Sequence, residues 1–103
     1  MIAAFSITPM GAGESVSDLV AEAVRIVRAS GLPNETNAMF TNVEGSWEEV
    51  MALIKDCVER LSASAPRLSV VVKVDYRPSA GVGELTAKVG RVEARLGHGE
   101  HGS

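Results

Sequence analysis

Residues Thr36–Met51, TNAMFTNVEGSWEEVM, combine a strand, a turn and the beginning of a helix, and the rest of the chain is organised around them. Thr41–Glu44 has the composition of an extended strand, which Gly45 ends. Ser46 is suited to cap the following helix, because Glu49 stands three residues later and completes a capping-box pattern. Apolar residues at helical spacing follow. The stretch therefore predicts a strand that leads directly into a capped helix, where free N–H groups point outward.

The length and composition fit one small domain. With 103 residues, of which 46% are hydrophobic, the chain can bury a single small core. The net charge is −3 and the basic residues are scattered, which argues against a nucleic-acid partner and is compatible with a cationic small ligand. Cys57 is the sole cysteine, which excludes an intrachain disulfide and a cysteine-rich zinc site. We expect a buried, inert thiol and no metal or cofactor.

The hydrophobic pattern predicts elements in the order β-α-β-β-α-β, followed by a third helix. These are Ile2–Thr8, a four-turn helix capped by Ser15, Asn34–Asn37, Phe40–Glu44, Trp47–Ala63, Leu68–Arg77 and a last helix over about Gly83–Leu96. Pro9 is expected to end the first strand because it has no N–H to donate. The order is typical of an α+β, ferredoxin-like domain, here residues 1–97, with a four-stranded antiparallel sheet and both main helices on one face. Residues 98–103 are expected to form a disordered tail.

Strand parity predicts an open sheet face of mixed character. If alternate apolar residues of the first and last strands meet the helices, the opposite face carries polar and apolar residues together. These residues are Ile2, Ala4, Ser6, Thr8, Val71, Lys73, Asp75 and Arg77. Such a surface is either solvated or a subunit interface, or else it lines a small-molecule cleft beside the hairpin. The interpretations are compatible, because ligand sites often form at interfaces.

Two motifs carry a resemblance to a known family. TNAMFTNVEGSWEEVM is similar to the signature of the thiamine-binding-protein superfamily, whose members are small bacterial and archaeal ferredoxin-like proteins. The matching positions are Met39, Thr41, Val43, Glu44, Gly45, Trp47, Glu49 and Met51. The segment 73–77, KVDYR, resembles a second family motif, and the likeness extends from about Ile2 to Leu96. The resemblance implies a cleft beside the hairpin for thiamine or its hydroxymethyl-pyrimidine half, and a homodimer or homotetramer.

A thiamine site needs hydrogen-bonding groups at the pyrimidine edge, an apolar or aromatic wall and preferably a carboxylate near the cationic thiazolium. The candidate ligand-binding residues that supply these are Ser6, Asn37, Met39, Phe40, Thr41, Glu44 and Asp75. Phe40 stands where the family commonly has a smaller residue, so it either stacks on the pyrimidine or fills the pocket. The short stretch Asn37–Asn42 is where we expect function to lie.

The leading hypothesis is a non-enzymatic, cytoplasmic binding protein for thiamine or its pyrimidine precursor, with no membrane association. One alternative is a structural or regulatory oligomerisation module without a small ligand. Another is an enzyme that acts through Asp75 or Glu44. Catalysis ranks last, because both histidines stand in the tail and no nucleophile–base pair can be assembled.

Overall fold

The computed structural model describes residues 1–78 of the chain, and they form one four-stranded antiparallel sheet with two helices. The strands are β1 (Ile2–Met10), β2 (Asn34–Thr36), β3 (Thr41–Glu44) and β4 (Arg67–Asp75), and the helices are α1 (Val16–Ala29) and α2 (Trp47–Ser62). The strand order is β2-β3-β1-β4, with β1 and β3 central. The predicted α+β, ferredoxin-like arrangement is confirmed. The predicted third helix and tail lie outside the described residues.

The core lies between the helices and one face of β1, β3 and β4. The register pairs Ala3 with Val43 and Val74, and Phe5 with Val72, so these side chains share a face. Ala3, Phe5, Val43 and Val74 pack against buried residues of both helices, whereas Val72 on the edge strand remains 39% exposed. The main core cluster consists of Ala3, Phe5, Val27, Val43, Val50, Leu53, Ile54 and Cys57. The predicted parity is therefore correct for the first strand and for Val74, whereas Val70, Val72 and Tyr76, which the same parity places toward the helices, stay exposed.

The first strand runs past Pro9 to Met10, so the expectation that Pro9 ends the ladder is wrong. Met1 and Gly45 exchange main-chain hydrogen bonds, the Met1 nitrogen donating over 2.8 Å and the Gly45 nitrogen over 3.1 Å. Odd-numbered residues of β1 therefore turn their main-chain groups toward β3. Because β3 begins at Thr41, opposite Phe5, no β3 residue stands beside Pro9. Its missing N–H costs the sheet no hydrogen bond.

The two helix starts differ although both have serine at the N-cap. The Ser46 hydroxyl accepts from the Glu49 N–H over 3.1 Å, and the Glu49 carboxylate accepts from the Ser46 N–H over 3.0 Å. The predicted capping box is thus confirmed. Ser15 stands at the N-cap of α1, but its side chain makes no capping bond, because the single 3-10 turn Gly13–Ser15 already continues into the helix.

The helical spacing predicts that Trp47 belongs to the apolar face of α2 that packs into the core, and this prediction is wrong. Its side chain is half exposed, and the buried positions of the helix lie one turn further on. Within residues 1–78, neither helix is long and apolar enough to cross a membrane.

Candidate functional site

Five of the seven candidate ligand-binding residues line one groove of about 220 Å³. They are Ser6, Asn37, Met39, Phe40 and Thr41. We call this space the hairpin groove, and its walls are residues 5–8 of β1, residues 36–41 of the hairpin, and Val20, Ala23, Val24 and Val27 of α1. None of these lining residues carries an ionisable side chain, so the groove is suited to an uncharged group.

A two-residue turn, Ala38–Met39, closes the hairpin, as the sequence predicts. The Asn37 N–H donates to the Phe40 carbonyl over 2.9 Å. The Asn37 side-chain oxygen accepts from the N–H groups of Met39 and Phe40, both over 2.8 Å. This Asx turn takes the place of an Asn-Gly pair. The carbonyl oxygen of Asn37 is therefore used by the turn, and its NH₂ group is what remains for a ligand.

A length of unpaired strand edge faces the groove. The pairing of β1 with β3 ends at Phe5 and Thr41, while β1 continues for five more residues along β4. By the alternation that Met1 and Gly45 establish, the N–H and C=O of Ile7 point away from β4 and into the groove. Within residues 1–78, no strand pairs with this edge of Ile7. The groove thus offers a main-chain donor and acceptor side by side.

The apolar wall of the groove comes partly from α1, which the sequence interpretation did not include. Val20 is 45% exposed although it belongs to the apolar stripe of the helix, and Val24 stands one turn further along. Phe40 is half-buried on the hairpin side. The groove keeps its 220 Å³ with Phe40 in place. The sequence signal for this wall was an apolar stripe on α1 wider than the core requires.

The two candidate carboxylates lie away from the groove. The register places both Glu44 and Asp75 beside Ile2, four residues before Ser6, which corresponds to about 13 Å along the strand. Neither residue lines the hairpin groove. Because a single methylene carbon joins the two rings of thiamine, one molecule cannot have its pyrimidine beside Ser6 and its thiazolium beside Glu44.

A second cavity, of about 520 Å³, lies at that far end of β1. We call it the aromatic corner, and it is lined by Met1, Leu32, Pro33, residues 44–49 and residues 76–78. Trp47 and Tyr76 meet there edge to face, with ring centroids 6.4 Å apart and planes at 76°. Glu44 contributes to the lining and is only 3% exposed. The corner thus has a carboxylate in its lining, whereas the residues named above for the groove include none.

Metal binding finds no support in the described part of the chain. Among residues 1–78, no three or more His, Cys, Asp or Glu side chains are grouped so that they could hold an ion.

A family model described as "Thiamine-binding protein" matches residues 3–93. A UPF0045 protein of Mycobacterium bovis is 53% identical over 97 residues, which span 93% of this chain and 94% of that protein. A UPF0045 protein of Methanocaldococcus jannaschii is 34% identical over 77 residues, spanning 75% of this chain and 77% of that protein.

Solved structures show the same fold. A hypothetical protein from Methanocaldococcus jannaschii superposes with a TM-score of 0.74 at 29% identity, over 93% of this chain and 94% of that one. A domain of unknown function from Bacillus cereus gives 0.72 at 30% identity, over 79% of each chain. A Thermotoga maritima protein, assigned provisionally to thiamine biosynthesis or salvage, gives 0.73 at 21% identity, over 84% of this chain and 94% of that one.

Proposed function

This chain belongs to the thiamine-binding protein family, and we propose that it binds the hydroxymethyl-pyrimidine half of thiamine, free or as part of thiamine, in the hairpin groove. The observation that carries this proposal is the unpaired main-chain edge of Ile7, which stands between polar side chains and an apolar wall. Family membership supports the ligand class, and the geometry of the groove supports the half of the ligand that enters it.

The pyrimidine of thiamine presents a ring nitrogen that accepts a hydrogen bond next to an amino group that donates one. A strand edge presents the complementary pair, an N–H beside a C=O. Bound at Ile7, the pyrimidine would make the two hydrogen bonds that another strand would make there. Ser6, Thr8 and Thr41 line the same groove, and their hydroxyls are the proposed partners of the hydroxymethyl group.

The size and charge of the groove favour the pyrimidine over the thiazolium. Sites for drug-sized ligands have volumes of about 300–1,000 Å³, and the groove, at 220 Å³, suits one ring better than two. The lining that residues 1–78 provide lacks ionised groups, so a cationic thiazolium would gain no ion pair from it. In bound thiamine, the thiazolium would extend out of the groove, and Phe40 would stack on the pyrimidine.

Isothermal titration calorimetry with hydroxymethyl-pyrimidine tests the proposal. We expect saturable binding with a dissociation constant of about 1 mM or tighter, and weaker binding of the 4-dimethylamino analogue, which cannot donate. Ser6→Ala should weaken binding, whereas Ser69→Ala, an exposed serine on the same sheet face outside the groove, should not. Absence of heat and of a thermal shift at millimolar hydroxymethyl-pyrimidine and thiamine would reject it.

We propose that this function is binding without turnover. The one thiol of the chain, that of Cys57, is fully buried in the core, and its burial raises its pKa to about 11, with a further contribution from the Asp56 carboxylate. A thiol in this setting stays protonated and inaccessible at neutral pH. Prolonged incubation of thiamine with the protein should return thiamine unchanged by mass spectrometry. Cleavage between the two rings would contradict a binding role.

We also propose that copies of the chain associate into a homodimer or homotetramer through β4. This strand is nine residues long and pairs on one side only, with β1, in the described sheet. Val70, Val71 and Val72 are 38%, 52% and 39% exposed, an apolar run of the kind that solvent-facing edge strands usually avoid. Sedimentation equilibrium should show a dimer or tetramer, and Val71→Lys should shift it toward monomer. A monomeric wild-type protein at 100 µM or so would exclude this mode of association.

A further inference from the structure

We propose that the aromatic corner is a second ligand site, which binds a small organic cation of the quaternary ammonium type. Its volume of 520 Å³ is typical of small-molecule sites, which measure about 300–1,000 Å³. Among residues 1–78, the corner and the hairpin groove share no lining residue, and they lie toward opposite ends of β1. The proposal is therefore independent of pyrimidine binding.

The aromatic pair provides the main attraction for a cation. Trp47 and Tyr76 remain 50% and 61% exposed although each offers a large apolar surface that folding would ordinarily bury. In their edge-to-face contact, the edge of one ring meets the face of the other, so each ring keeps at least one face that its partner does not cover, and both residues line the cavity. A cation within about 6 Å of such a face is attracted by the negative charge of the π system, and tryptophan is the strongest partner.

The charges of the lining favour the same ligand. Three carboxylates line the corner, on Glu44, Glu48 and Glu49, against the Met1 ammonium and Arg77. Glu49 is held by the capping box, and the Met1 ammonium donates to a main-chain carbonyl 2.8 Å away. Glu48 is exposed in the first turn of α2, and its carboxylate makes no hydrogen bond or ion pair with residues 1–78. Glu48 is thus the carboxylate best placed to meet a cation above the rings.

The apolar walls of the corner favour an organic cation over an inorganic one. Leu32 and Pro33 stand opposite the helix start and offer methyl and methylene groups. Metal ions require several oxygen, nitrogen or sulfur ligands, and no such group is assembled among residues 1–78. Methyl groups on nitrogen match both the apolar walls and the ring faces, and they spread the positive charge over a larger surface.

The single tryptophan makes the site directly observable, because all indole fluorescence arises from Trp47. We expect choline to change this fluorescence saturably, with a dissociation constant of about 1 mM or tighter. Its neutral isostere 3,3-dimethylbutan-1-ol should bind at least about fivefold more weakly, since it lacks the charge. Sodium chloride at equal ionic strength should leave the fluorescence unchanged.

Substitutions at the corner, compared with matched controls, distinguish a loss of choline binding from a general effect on the fold. Tyr76→Leu should weaken choline at least about fivefold and Tyr76→Phe should restore it, because the ring face and not the hydroxyl is needed. Glu48→Gln should weaken choline by about threefold, whereas Glu35→Gln, which removes an exposed carboxylate of β2, should not. Hydroxymethyl-pyrimidine titrated in the same samples reports on the groove separately.

Three results would overturn the proposal. The first is an equal response to choline and its neutral isostere, and the second is an unchanged affinity in Tyr76→Leu. The third is a Trp47 signal that depends on protein concentration and not on choline, which would show that a second copy of the chain covers the corner. Loss of pyrimidine binding alone would leave the organic-cation site standing.

Discussion

The two ends of the hairpin-to-helix stretch both border a cavity, yet their chemistry is opposite. At the hairpin tip, no ionisable residue among residues 1–78 lines the groove, and the main chain of Ile7 faces it. At the helix start, the aromatic corner has three carboxylates and two aromatic rings. At both ends, the polar side chains that look most like ligands serve local structure: Asn37 holds the turn, and Ser46 holds the cap. At each end, a ligand therefore has to be bound by groups that these local hydrogen bonds do not use.

The largest effect should come from filling the groove. Val20→Trp places an indole where a half-exposed valine lines the α1 wall, and we expect hydroxymethyl-pyrimidine to bind about 100-fold more weakly or not at all. Calorimetry measures the loss. Val16→Trp, at a slightly less exposed position of α1 outside the groove, is the matched control and should bind normally. Equal binding by both variants would place the ligand elsewhere.

A smaller effect should follow from loosening the hairpin tip. Asn37→Ala removes the acceptor of two main-chain N–H groups, so we expect a loss of about 1 kcal/mol in unfolding free energy and about tenfold weaker pyrimidine binding. Urea denaturation and calorimetry give the two values. Asn34→Ala, which removes one hydrogen bond to Leu32 at the other end of the hairpin, should lose stability with its binding intact.

A substitution at the start of α2 should lower stability without affecting the groove. Ser46→Ala removes the capping acceptor of α2 and should cost about 1 kcal/mol in unfolding free energy. Pyrimidine binding should stay within experimental error. Ser15→Ala removes a serine that stands at the same position of α1 without making a capping bond, and it should change stability by less than about 0.5 kcal/mol. Equal losses in the two variants would show that the capping box has no energetic role.

The smallest effect concerns pH. The N–H and side chain of Ser46 hold the pKa of Glu49 below its ordinary value of 4.5, and a hydrogen bond from Arg25 lowers the pKa of Glu22. A carboxylate whose folded pKa is lowered stabilises the fold fully above the unfolded pKa, and this contribution is lost as the pH falls through the folded pKa. Urea denaturation between pH 6 and 3 should therefore show declining stability, with a shallower decline in Glu49→Gln. Identical slopes would contradict this assignment.

Local sequence signals predicted the elements, and tertiary pairing decided where they end. The capping box around Ser46 is visible in sequence because both partners lie within four residues. The tolerance of Pro9 in β1 depends on which side of the strand its nitrogen faces, and only the register with β3 fixes that. Parity correctly placed Ala3, Phe5 and Val74 on the side of the helices. It did not predict that Val72 would stay exposed, or that Trp47 would contact Tyr76 outside the core.

The sequence likewise predicted only part of the candidate site. Neighbouring hairpin residues came together with Ser6, because hairpin and strand adjoin whenever the sheet forms. The separation of Glu44 and Asp75 from that group follows from their register beside Ile2, which strand identity alone does not give. The contribution of Val20 and Val24 depends on how α1 lies across the sheet, and helical periodicity carries no information on that.

Pyrimidine binding in the groove depends on the main-chain edge of Ile7, which is the proposed hydrogen-bonding partner of the ring. Titration of ¹⁵N-labelled protein with hydroxymethyl-pyrimidine, followed by amide chemical shifts, tests it most directly. The Ile7 N–H should show a large, saturable downfield shift as it donates to the ligand, while the N–H of Gly45, which is bonded to Met1, should not move. An unmoved Ile7 signal at saturating ligand, or a main response at Gly45 and Trp47, would exclude pyrimidine binding at the Ile7 edge.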